Sequence, residues 1–449
     1  MLKDKIDPSI LSVAFRERSL CTRSGTCVGI CPTGAIDLND EYYPVLDAEK
    51  CTSCGLCGAV CPGGTVEYKK LNLLTFGDDH DPQTFDGRVE KTYVAYAADE
   101  QMRRGGAGGG VVTALLYDLL KHGDVDGCVV TRMRRDKPHL GEPFIARRYE
   151  ELLESQGSRY TIIPANKIFQ EIRETGGRYA IAALPCQVHG YRKAIQEDVV
   201  LNERISMVVG LFCGGALEPF IVPELLQTKG IRKEEIRDFQ FRGGEWPGNM
   251  RAIMLNQDTR NLHYSNYKDG AYNYFTGLYM PKRCQTCLDG SCEFSDVSVS
   301  DAWTRDREGN YKFAAHSRIL TRTKKGLELV QRASEHGTLI ARDVSQDKNY
   351  ETHRLQTRRK GMNAPLRTAR WQRKGIPVPV YDRPVPPATL KEKWVERGVS
   401  FFLWLGQYKA FRYPAIKLLT SKYAIPLISF RLWLKKRKYA KAPKDATTN

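Results

Sequence analysis

Short apolar segments alternate with a longer amphipathic segment in the chain from about Thr92 onward. The amphipathic segment, VVTALLYDLLKHG at residues 111–123, has apolar positions at helical spacing and ends in a glycine, which predicts a helix. The short segments are nearly all apolar, as buried strands are: YVAYAA (93–98), GCVVTRM (127–133), YAIAALP (179–185) and ISMVVGLFC (205–213). This order predicts an α/β core with buried strands.

The same patterns divide the chain into four predicted regions. Residues 15–72 hold seven cysteines and little hydrophobic periodicity, so we expect bound metal to organise them as a ferredoxin-like α+β module. After a polar connector, the α/β core is predicted to divide near Gly176 and Gly177, into residues 90–175 and 176–345. Residues 346–449 form a helical basic tail. Its two predicted helices are 390–408 and 413–439, the second interrupted at Pro426.

Charge is distributed unevenly over the 449 residues. The net charge is +17, but residues 351–449 carry 23 Lys or Arg against 5 Asp or Glu, so the tail accounts for the whole excess. The N-terminus has no long apolar segment and no small-residue cleavage site, so we expect no secretory signal there. Clustered cysteines without such a signal indicate metal binding in a reducing cytoplasm.

A run of four cysteines followed by proline is the clearest chemical signal in the chain. Its members are Cys51, Cys54, Cys57 and Cys61. The spacing C-x2-C-x2-C-x3-C-P is that of bacterial ferredoxins, in which the fourth cysteine ligates a second cluster. Zinc also binds CxxC pairs, but usually as two pairs separated by a longer loop, so the compact run favours iron–sulfur clusters over zinc sites.

An altered copy of this motif precedes it, with Ser24 at the second position. The cysteines of the copy are Cys21, Cys27 and Cys31. Ferredoxin connectivity predicts one 4Fe-4S cluster at Cys31, Cys51, Cys54 and Cys57. It predicts the other at Cys21, Cys27 and Cys61, with Ser24 facing the fourth iron. Serine is a poorer ligand for this iron than thiolate, so resemblance to ferredoxins lacking the cysteine predicts either a 3Fe-4S cluster or a 4Fe-4S cluster with a labile iron.

Further cysteines lie downstream, outside the ferredoxin motifs. They are Cys186 and Cys213 at the ends of predicted strands, and the group Cys284, Cys287 and Cys292. Strand ends are where α/β folds place their sites, so four of these thiols could converge on one more cluster, with Cys292 as a competing ligand. Spacing alone predicts a lone zinc site or inert thiols equally well. Cys128, within a predicted strand, is expected to be an apolar core thiol.

A glycine-rich segment, RGGAGGG at residues 104–110, follows the first predicted strand and opens the predicted helix. Glycines allow a backbone to approach a phosphate closely, and a helix N-terminus offers free N–H groups to it. The spacing matches neither the dinucleotide fingerprint nor the P-loop, so a tight turn without a ligand is an equal alternative.

An ordered set of motifs resembles one known family. The motifs are RGGAGGGVVTALL, DGCVV, ALPCQVHG, GLFCGG, FRGGEWPG and CQTCLDGSCEFSDVSVSDAW, between about Tyr93 and Ala341. In this order they resemble the coenzyme F-420 hydrogenase/dehydrogenase beta-subunit family, which also includes 7-hydroxymethyl chlorophyll reductase and divinyl chlorophyllide reductase. Members of that family commonly carry a fused N-terminal ferredoxin module.

The resemblance implies a flavoprotein core, with FAD and a 4Fe-4S cluster beside it. FAD is implied near Arg104, Gly105, Gly106, Gly108, Gly109, Gly110 and Thr113. The cluster is implied at Cys186, Cys213, Cys284 and Cys287. The chain departs from the family at Ala107, where members carry a more polar residue, and at Cys292, where a small non-ligand is typical. The candidates for catalysis are His189, which is otherwise a structural histidine, and Arg242 and Glu245 beside Trp246.

The end of the tail, KLLTSKYAIPLISFRLWLKKRKYAK, mixes basic with large apolar residues. This composition predicts an amphipathic helix on an anionic membrane surface, and alternatively a solvated appendage or a surface for an acidic partner such as ferredoxin. We expect a cytoplasmic protein, associated through this tail with the inner face of the membrane. No nucleic-acid partner is expected, because the body has no recognised binding motif.

These observations predict a FAD-dependent iron–sulfur oxidoreductase, with ferredoxin or a reduced deazaflavin as electron donor. It would transfer hydride to or from a small-molecule substrate, at a CH–CH or CH–OH group. One alternative is an electron-transfer subunit of a larger dehydrogenase or hydrogenase complex, without a substrate of its own. Another is a zinc-organised scaffold at the membrane. The identity of the substrate does not follow from the fold.

Overall fold

The computed structural model describes residues 6–262, 272–306, 308, 310–347 and 354–440. The strands are β1 (Ile36–Leu38), β2 (Pro44–Leu46), β3 (Thr65–Val66), β4 (Lys91–Ala97), β5 (Gly127–Met133), β6 (Gly141–Ala146), β7 (Tyr179–Ala183), β8 (Ile205–Leu211), β9 (Ile236–Gly243), β10 (Asn249–Met254), β11 (Thr259–Asn261), β12 (Val297–Asp301), β13 (Ser317–Thr321), β14 (Leu339–Asp343) and β15 (Val380–Tyr381).

The α-helices are α1 (Thr26–Ile30), α2 (Leu56–Ala59), α3 (Tyr68–Phe76), α4 (Glu100–Gly105), α5 (Val111–Lys121), α6 (Tyr149–Glu154), α7 (Phe169–Thr175), α8 (Pro185–Glu197), α9 (Val199–Arg204), α10 (Ile221–Gln227), α11 (Tyr272–Tyr279), α12 (Lys282–Gln285), α13 (Lys324–Glu335), α14 (Arg354–Thr357), α15 (Ala364–Gln372), α16 (Leu390–Leu405), α17 (Lys409–Leu419) and α18 (Ile425–Ala440). A π-helix, Arg358–Asn363, connects α14 to α15. Among the described residues, none of the helices has the length and apolar character needed to cross a membrane.

The core is a mixed sheet of eight strands in the order β14-β4-β13-β12-β8-β7-β5-β6. The four central strands, β12, β8, β7 and β5, are parallel to one another, and the outer pairings are antiparallel. The strands predicted from continuous apolar segments are confirmed as β4, β5, β7 and β8, and the predicted helix is confirmed as α5. Strands from both sides of Gly176 and Gly177 share this one sheet.

Helices cover both faces of the sheet, which makes the core a three-layer mixed α/β structure. Successive side chains of a strand point to opposite faces, so Cys128 and Val130 of β5 pack with α5 and α13, whereas Val129 packs with α7, α8 and α9. Burial on both faces is the reason that these strands read as continuous apolar segments. Tyr68 and Leu71 of the cysteine-rich module join the second of these apolar clusters, so the module packs directly on the core.

The backbone of the cysteine-rich module contacts the core directly. The Arg173 guanidinium of α7 donates to the carbonyls of Gly29, Ile30 and Cys31. At Gly25, a side chain would come within 2.7 Å of the Pro164 carbonyl oxygen. The two-residue strand β3 of the module pairs in parallel with β15 of the tail.

The tail differs from its prediction in one respect. The first predicted helix is confirmed as α16, but the second is wrong as a single interrupted helix, because the chain forms α17 and α18 separated by residues 420–424. Pro426 lies in the first turn of α18, where its missing N–H costs no helical hydrogen bond, so it begins a helix and does not interrupt one.

Candidate functional site

Seven thiols of the N-terminal module lie in two neighbouring groups. The first contains Cys31, Cys51, Cys54 and Cys57. Burial raises the pKa of the Cys57 thiol, and the three neighbouring thiols of this group raise it further. The cysteine spacing therefore brings these side chains together as ferredoxin connectivity predicts.

The second group contains Cys21, Cys27 and Cys61. Burial, followed by the thiols of Cys21 and Cys61, raises the pKa of Cys27 well above its usual value. Ser24 is buried, and its hydroxyl lies 2.8 Å from the hydroxyl of Thr26. The position that lacks a thiol is thus part of a hydroxyl network of the protein.

Ser12, upstream of both motifs, also contacts these thiols. Its buried hydroxyl donates to the Cys61 Sγ atom at 3.4 Å, and hydrogen bonds from Ser12 lower the pKa of both Cys27 and Cys57 against the effect of burial. Hydrogen bonds to cluster sulfurs shift reduction potential. No motif could have indicated Ser12, because it lies outside the cysteine spacing.

A third group of thiols lies at the carboxyl ends of the central strands. Cys186 is the second residue of α8, which closely follows β7. Cys213 follows β8, Cys284 lies on α12, and Cys287 follows that helix. Burial raises the pKa of Cys186 well above its usual range, and Cys284, Cys213 and Cys287 raise it further. The four thiols named from the family resemblance are therefore neighbours, at the edge of the sheet where α/β folds place their sites.

Cys292 and Cys128 lie apart from this group. Cys292 is buried, and its Sγ donates to the Ala183 carbonyl at 3.7 Å. A side chain at Gly210 would lie 2.7 Å from the Cys292 Sγ, so the thiol fills the space that this glycine leaves. Cys128 is buried in the sheet core and donates to the Leu116 carbonyl at 3.6 Å, in the apolar setting expected from its strand.

Two cations face the third group. Burial alone would lower the pKa of Lys360 of the π-helix, but the thiols of Cys287, Cys213 and Cys284 raise it above its usual value. Burial also opposes the charge of Arg283, whose pKa is nevertheless raised by Tyr381 and by the thiols of Cys287 and Cys284. These buried cations fit an anionic group held by the four thiols. The sequence placed Lys360 only in a basic tail, so its role was missed.

Arg283 also connects the third group to the N-terminal module. Its Nε donates to the Gly63 carbonyl at 2.9 Å, and its Nη2 donates to the Pro62 carbonyl at 3.2 Å. These two residues directly follow Cys61. Arg283 directly precedes Cys284, so one side chain joins the backbones of the second and third thiol groups.

A cavity of about 1620 Å³ opens on another part of the core. Nine arginines and four acidic residues line it, so its wall is predominantly cationic. Arg159 is the clearest unsatisfied cation: its guanidinium donates to the carbonyls of Glu154, Ser155 and Gly157, while its buried Nε has no partner. Burial lowers the pKa of Arg159 to about 10. The charge of Asp238 opposes this shift. A buried guanidinium Nε–H without a hydrogen-bond partner suits an anionic ligand.

The structure divides the glycine-segment residues into two sets. Arg104 and Gly105 line the cavity. The remaining predicted residues, Gly106, Gly108, Gly109, Gly110 and Thr113, are not among its lining residues. Several of these glycines meet the protein itself: a side chain at Gly108 would lie 2.5 Å from an Asp301 carboxylate oxygen, and one at Gly110 would lie 2.3 Å from the Met102 carbonyl.

The catalytic candidates also separate. Arg242 and Glu245 line the cavity together with Trp246. The Nη1 of Arg242 donates to both carboxylate oxygens of Asp301, at 3.1 and 2.9 Å. His189 is buried outside the cavity lining, with its Nε2 3.0 Å from an Asp289 carboxylate oxygen. Burial alone would raise the pKa of Asp289, but His189 and Arg322 hold it below its usual value. The position of His189 suits a structural histidine.

Comparison with protein families identifies three matched regions. Residues 92–170 match the model described as coenzyme F-420 hydrogenase/dehydrogenase, beta subunit N-terminus, and residues 176–347 match the model for the C-terminus of the same subunit. Together these regions cover more than half of the chain. Residues 20–65 match a 4Fe-4S dicluster domain.

Curated relatives are about one quarter identical to this chain over the aligned residues. The coenzyme F-420-dependent sulfite reductase of Methanocaldococcus jannaschii is 26% identical over 70% of this chain, which spans about half (46%) of that protein. The coenzyme F-420 hydrogenase subunit beta of Methanosarcina barkeri is 24% identical over 58% of this chain and 84% of its own length. One polypeptide of the F(420)H(2) dehydrogenase of Methanosarcina mazei is 26% identical over 71% of this chain and 89% of its own length.

Several chains in solved structures resemble this one. One of them is a chain of the F-420-reducing [NiFe] hydrogenase complex from Methanosarcina barkeri, with 21% sequence identity and a TM-score of 0.46, covering 59% of this chain and 84% of that one.

Proposed function

The chain belongs to the coenzyme F-420 hydrogenase/dehydrogenase beta-subunit family, and on that premise we propose that it is an iron–sulfur flavoprotein oxidoreductase. In this proposal, residues 15–72 hold two clusters, Cys186, Cys213, Cys284 and Cys287 hold a third, and FAD binds to the core. The main support for the proposal is the position of Arg283. Its side chain binds the backbone that follows Cys61, and the residue itself directly precedes Cys284, so the second and third thiol groups lie close together.

The donor set of the third group supports iron–sulfur ligation. All four donors are thiols, and a cluster with four thiolates is anionic, so buried Lys360 and Arg283 would offset its charge. A lone CxxC zinc site would leave Cys186 and Cys213 without a role. Asp289, two residues after Cys287, accepts from that thiol through its backbone carbonyl, and its carboxylate binds His189.

The cationic cavity supports an anionic cofactor such as FAD. Its volume of about 1620 Å³ exceeds that of ordinary ligand pockets, about 300–1,000 Å³, so there is room for a dinucleotide and a substrate. The Nε of Arg159 is an orphaned donor that a pyrophosphate would satisfy. Of the glycine segment, only Arg104 and Gly105 reach the cavity wall, so we assign those two residues to the cofactor and the other glycines to packing.

In this proposal, the residues of the chain bind the cofactors and hold them in position. When bound, the clusters supply one-electron transfer and FAD supplies its conversion to hydride transfer. Arg283 fixes the module against the core, and the arginines of the cavity bind anionic groups. Arg242, held by Asp301, positions the loop that carries Glu245 and Trp246 at the cavity wall, since its Nε also donates to the Pro247 carbonyl.

Ferredoxin or reduced coenzyme F-420 is the proposed donor, and the substrate is a small molecule reduced or oxidised by hydride. A second candidate is an electron-transfer subunit without its own substrate. It is favoured by the names of the relatives, of which two are described as subunits of a hydrogenase and a dehydrogenase.

The test is reduction of the anaerobically purified protein by reduced coenzyme F-420 and, separately, by reduced ferredoxin. We expect either donor to bleach the visible absorbance of the loaded protein. Cys284→Ala removes a proposed ligand of the third cluster, so it is expected to lose about four irons per chain and to block electron exchange between coenzyme F-420 and the N-terminal clusters.

Cys292→Ala is the matched control, because Cys292 is a buried thiol of the same segment that lies apart from the group. It is expected to keep the iron content and reduction rate of the parent. Equal iron loss in both variants, or none in Cys284→Ala, would contradict the proposed ligand set. Reduction without turnover of any added hydride acceptor would favour the subunit over the self-contained enzyme.

A further inference from the structure

Helix α16 exposes a stripe of large apolar side chains. Leu390, Trp394, Phe401 and Trp404 are spaced by four, seven and three residues, which places them on one face of a helix. Trp394 is 67% exposed and Phe401 is 55% exposed. Side chains of this size are usually buried in a soluble domain, so a continuous exposed stripe of them indicates an interaction surface.

The opposite face of α16 packs on the protein, which leaves the apolar stripe facing outward. Glu396 is buried there, and its carboxylate binds the guanidinium groups of Arg367 and Arg370 at 3.1 Å. Leu403 is buried on the same side. The helix is therefore anchored to α15 by its polar and apolar inner face, and the aromatic stripe points away from the anchor.

Exposed aromatic residues continue beyond α16. Among the described residues, nine of the ten exposed Phe, Tyr and Trp side chains lie between Trp394 and Trp433. Helix α17 is in turn anchored to the core, because Arg412 forms an ion pair with Glu224 at 2.6 Å and Ile416 is fully buried. Exposed rings are thus concentrated in the tail helices and nearly absent elsewhere among the described residues. This distribution indicates that the tail helices carry an interaction surface.

The same segment is strongly basic. Residues 390–440 contain twelve Lys or Arg and two Glu, a balance of +10, and one of the two acids is the buried Glu396. Cations lie against the exposed rings: the Arg397 guanidinium is 5.0 Å from the Trp394 ring centre, and that of Arg437 is 4.4 Å from the Trp433 ring centre. A ligand for this surface must therefore be both anionic and able to take in apolar side chains.

We propose that the helices α16 to α18 dock the protein on the surface of an anionic lipid bilayer. Trp and Tyr rings favour the headgroup level of a membrane, where an apolar body and a polar edge are both satisfied. Lys and Arg near the surface add electrostatic attraction to anionic headgroups. An acidic protein would match the charge, but a row of exposed Leu, Phe and Trp side chains along a helix matches the acyl boundary better. This inference goes beyond the proposed redox function and does not depend on it.

The test is co-sedimentation of the full-length, anaerobically prepared protein with vesicles. We expect binding to vesicles that contain phosphatidylglycerol, weaker binding to pure phosphatidylcholine, and release of most of the bound protein at high salt. The paired change Trp394→Ser and Phe401→Ser is expected to weaken binding by tenfold or more.

A matched control changes Val199 and Leu255 to Ser, two exposed apolar residues far from the tail in the sequence, which are 65% and 64% exposed. Its binding should equal that of the parent. No sedimentation with phosphatidylglycerol vesicles at low salt would overturn the proposal, as would equal losses in both double variants. Capture by an acidic protein such as ferredoxin without any vesicle binding would also overturn it and identify a protein-docking surface instead.

Discussion

Ser24 replaces the one thiol that ferredoxin spacing requires and the chain lacks. Its hydroxyl is shared with Thr26, and its backbone carbonyl accepts from the Asn166 amide at 2.9 Å, so the residue is tied to the core. An oxygen donor occupied in this way competes poorly with thiolate for iron. The second group therefore contains three thiols, Cys21, Cys27 and Cys61, and we propose these three as its cluster ligands.

Ser24→Cys tests this interpretation at the level of a single residue. The parent is expected to show the electron paramagnetic resonance signal of an oxidised three-iron cluster, and the variant is expected to lose it and gain about one iron per chain, because thiolate is the better ligand. Ser24→Ala is the control, and should keep the three-iron signal. A three-iron signal that persists in Ser24→Cys would contradict the assignment of this position to the fourth iron, and a parent without that signal would contradict the three-iron cluster.

At the residue scale, cysteine spacing predicted which N-terminal thiols lie together, and their ligation of iron stays a prediction. It left the third group open, since Cys186 and Cys284 are distant in sequence and only the sheet brings them together. The proximity of Ser12 and Lys360 to the thiol groups could not be predicted, because it depends on how the backbone folds.

Two elements of the tail pack near the thiol groups. The π-helix Arg358–Asn363 carries buried Lys360 to the third thiol group, and strand β15 carries Tyr381, whose hydroxyl donates to the Thr286 carbonyl at 2.8 Å. Asp382 follows β15 and accepts the backbone N–H groups of Tyr68 and Lys69 at the start of α3. The tail is thus part of the wall around the thiols as well as an appendage.

Lys360→Met is expected to lower the reduction potential of the cluster that we propose at the third thiol group. Removal of a buried cation disfavours the more negative reduced state, and a unit charge a few ångströms away is worth about 1 to 2 kcal/mol, or roughly 50 to 100 mV for one electron. An anaerobic redox titration followed by electron paramagnetic resonance measures the shift. Lys374→Met, at an exposed lysine of the same tail, should leave the potential unchanged.

At the element scale, strands were predicted where apolar segments are continuous, because burial on both faces of a central parallel sheet leaves that pattern. The two-residue strand β15 left no such pattern, since it exists only through pairing with β3, more than 300 residues earlier. The break between α17 and α18 was misjudged because a proline fits the first turn of a helix as well as it ends one.

At the scale of the whole molecule, the cysteine-rich module, the α/β core and the tail pack against one another. The module joins the core through Arg173 and Arg283, and the tail joins both through β15 and the π-helix. The sequence predicted these parts in order but not their contacts, because hydrogen bonds from arginine to carbonyl groups leave no periodic signal. The cationic cavity was likewise missed, since its arginines come from separate elements.

The most direct test of the three-cluster flavoprotein is the content of iron, acid-labile sulfide and flavin in the anaerobically purified chain. Three clusters and one flavin predict about 12 irons per chain, or about 11 with a three-iron cluster, together with one FAD. Zinc without sulfide or flavin would contradict the redox function entirely. About eight irons or fewer with no flavin would remove the third cluster and the FAD site, and leave only the N-terminal module.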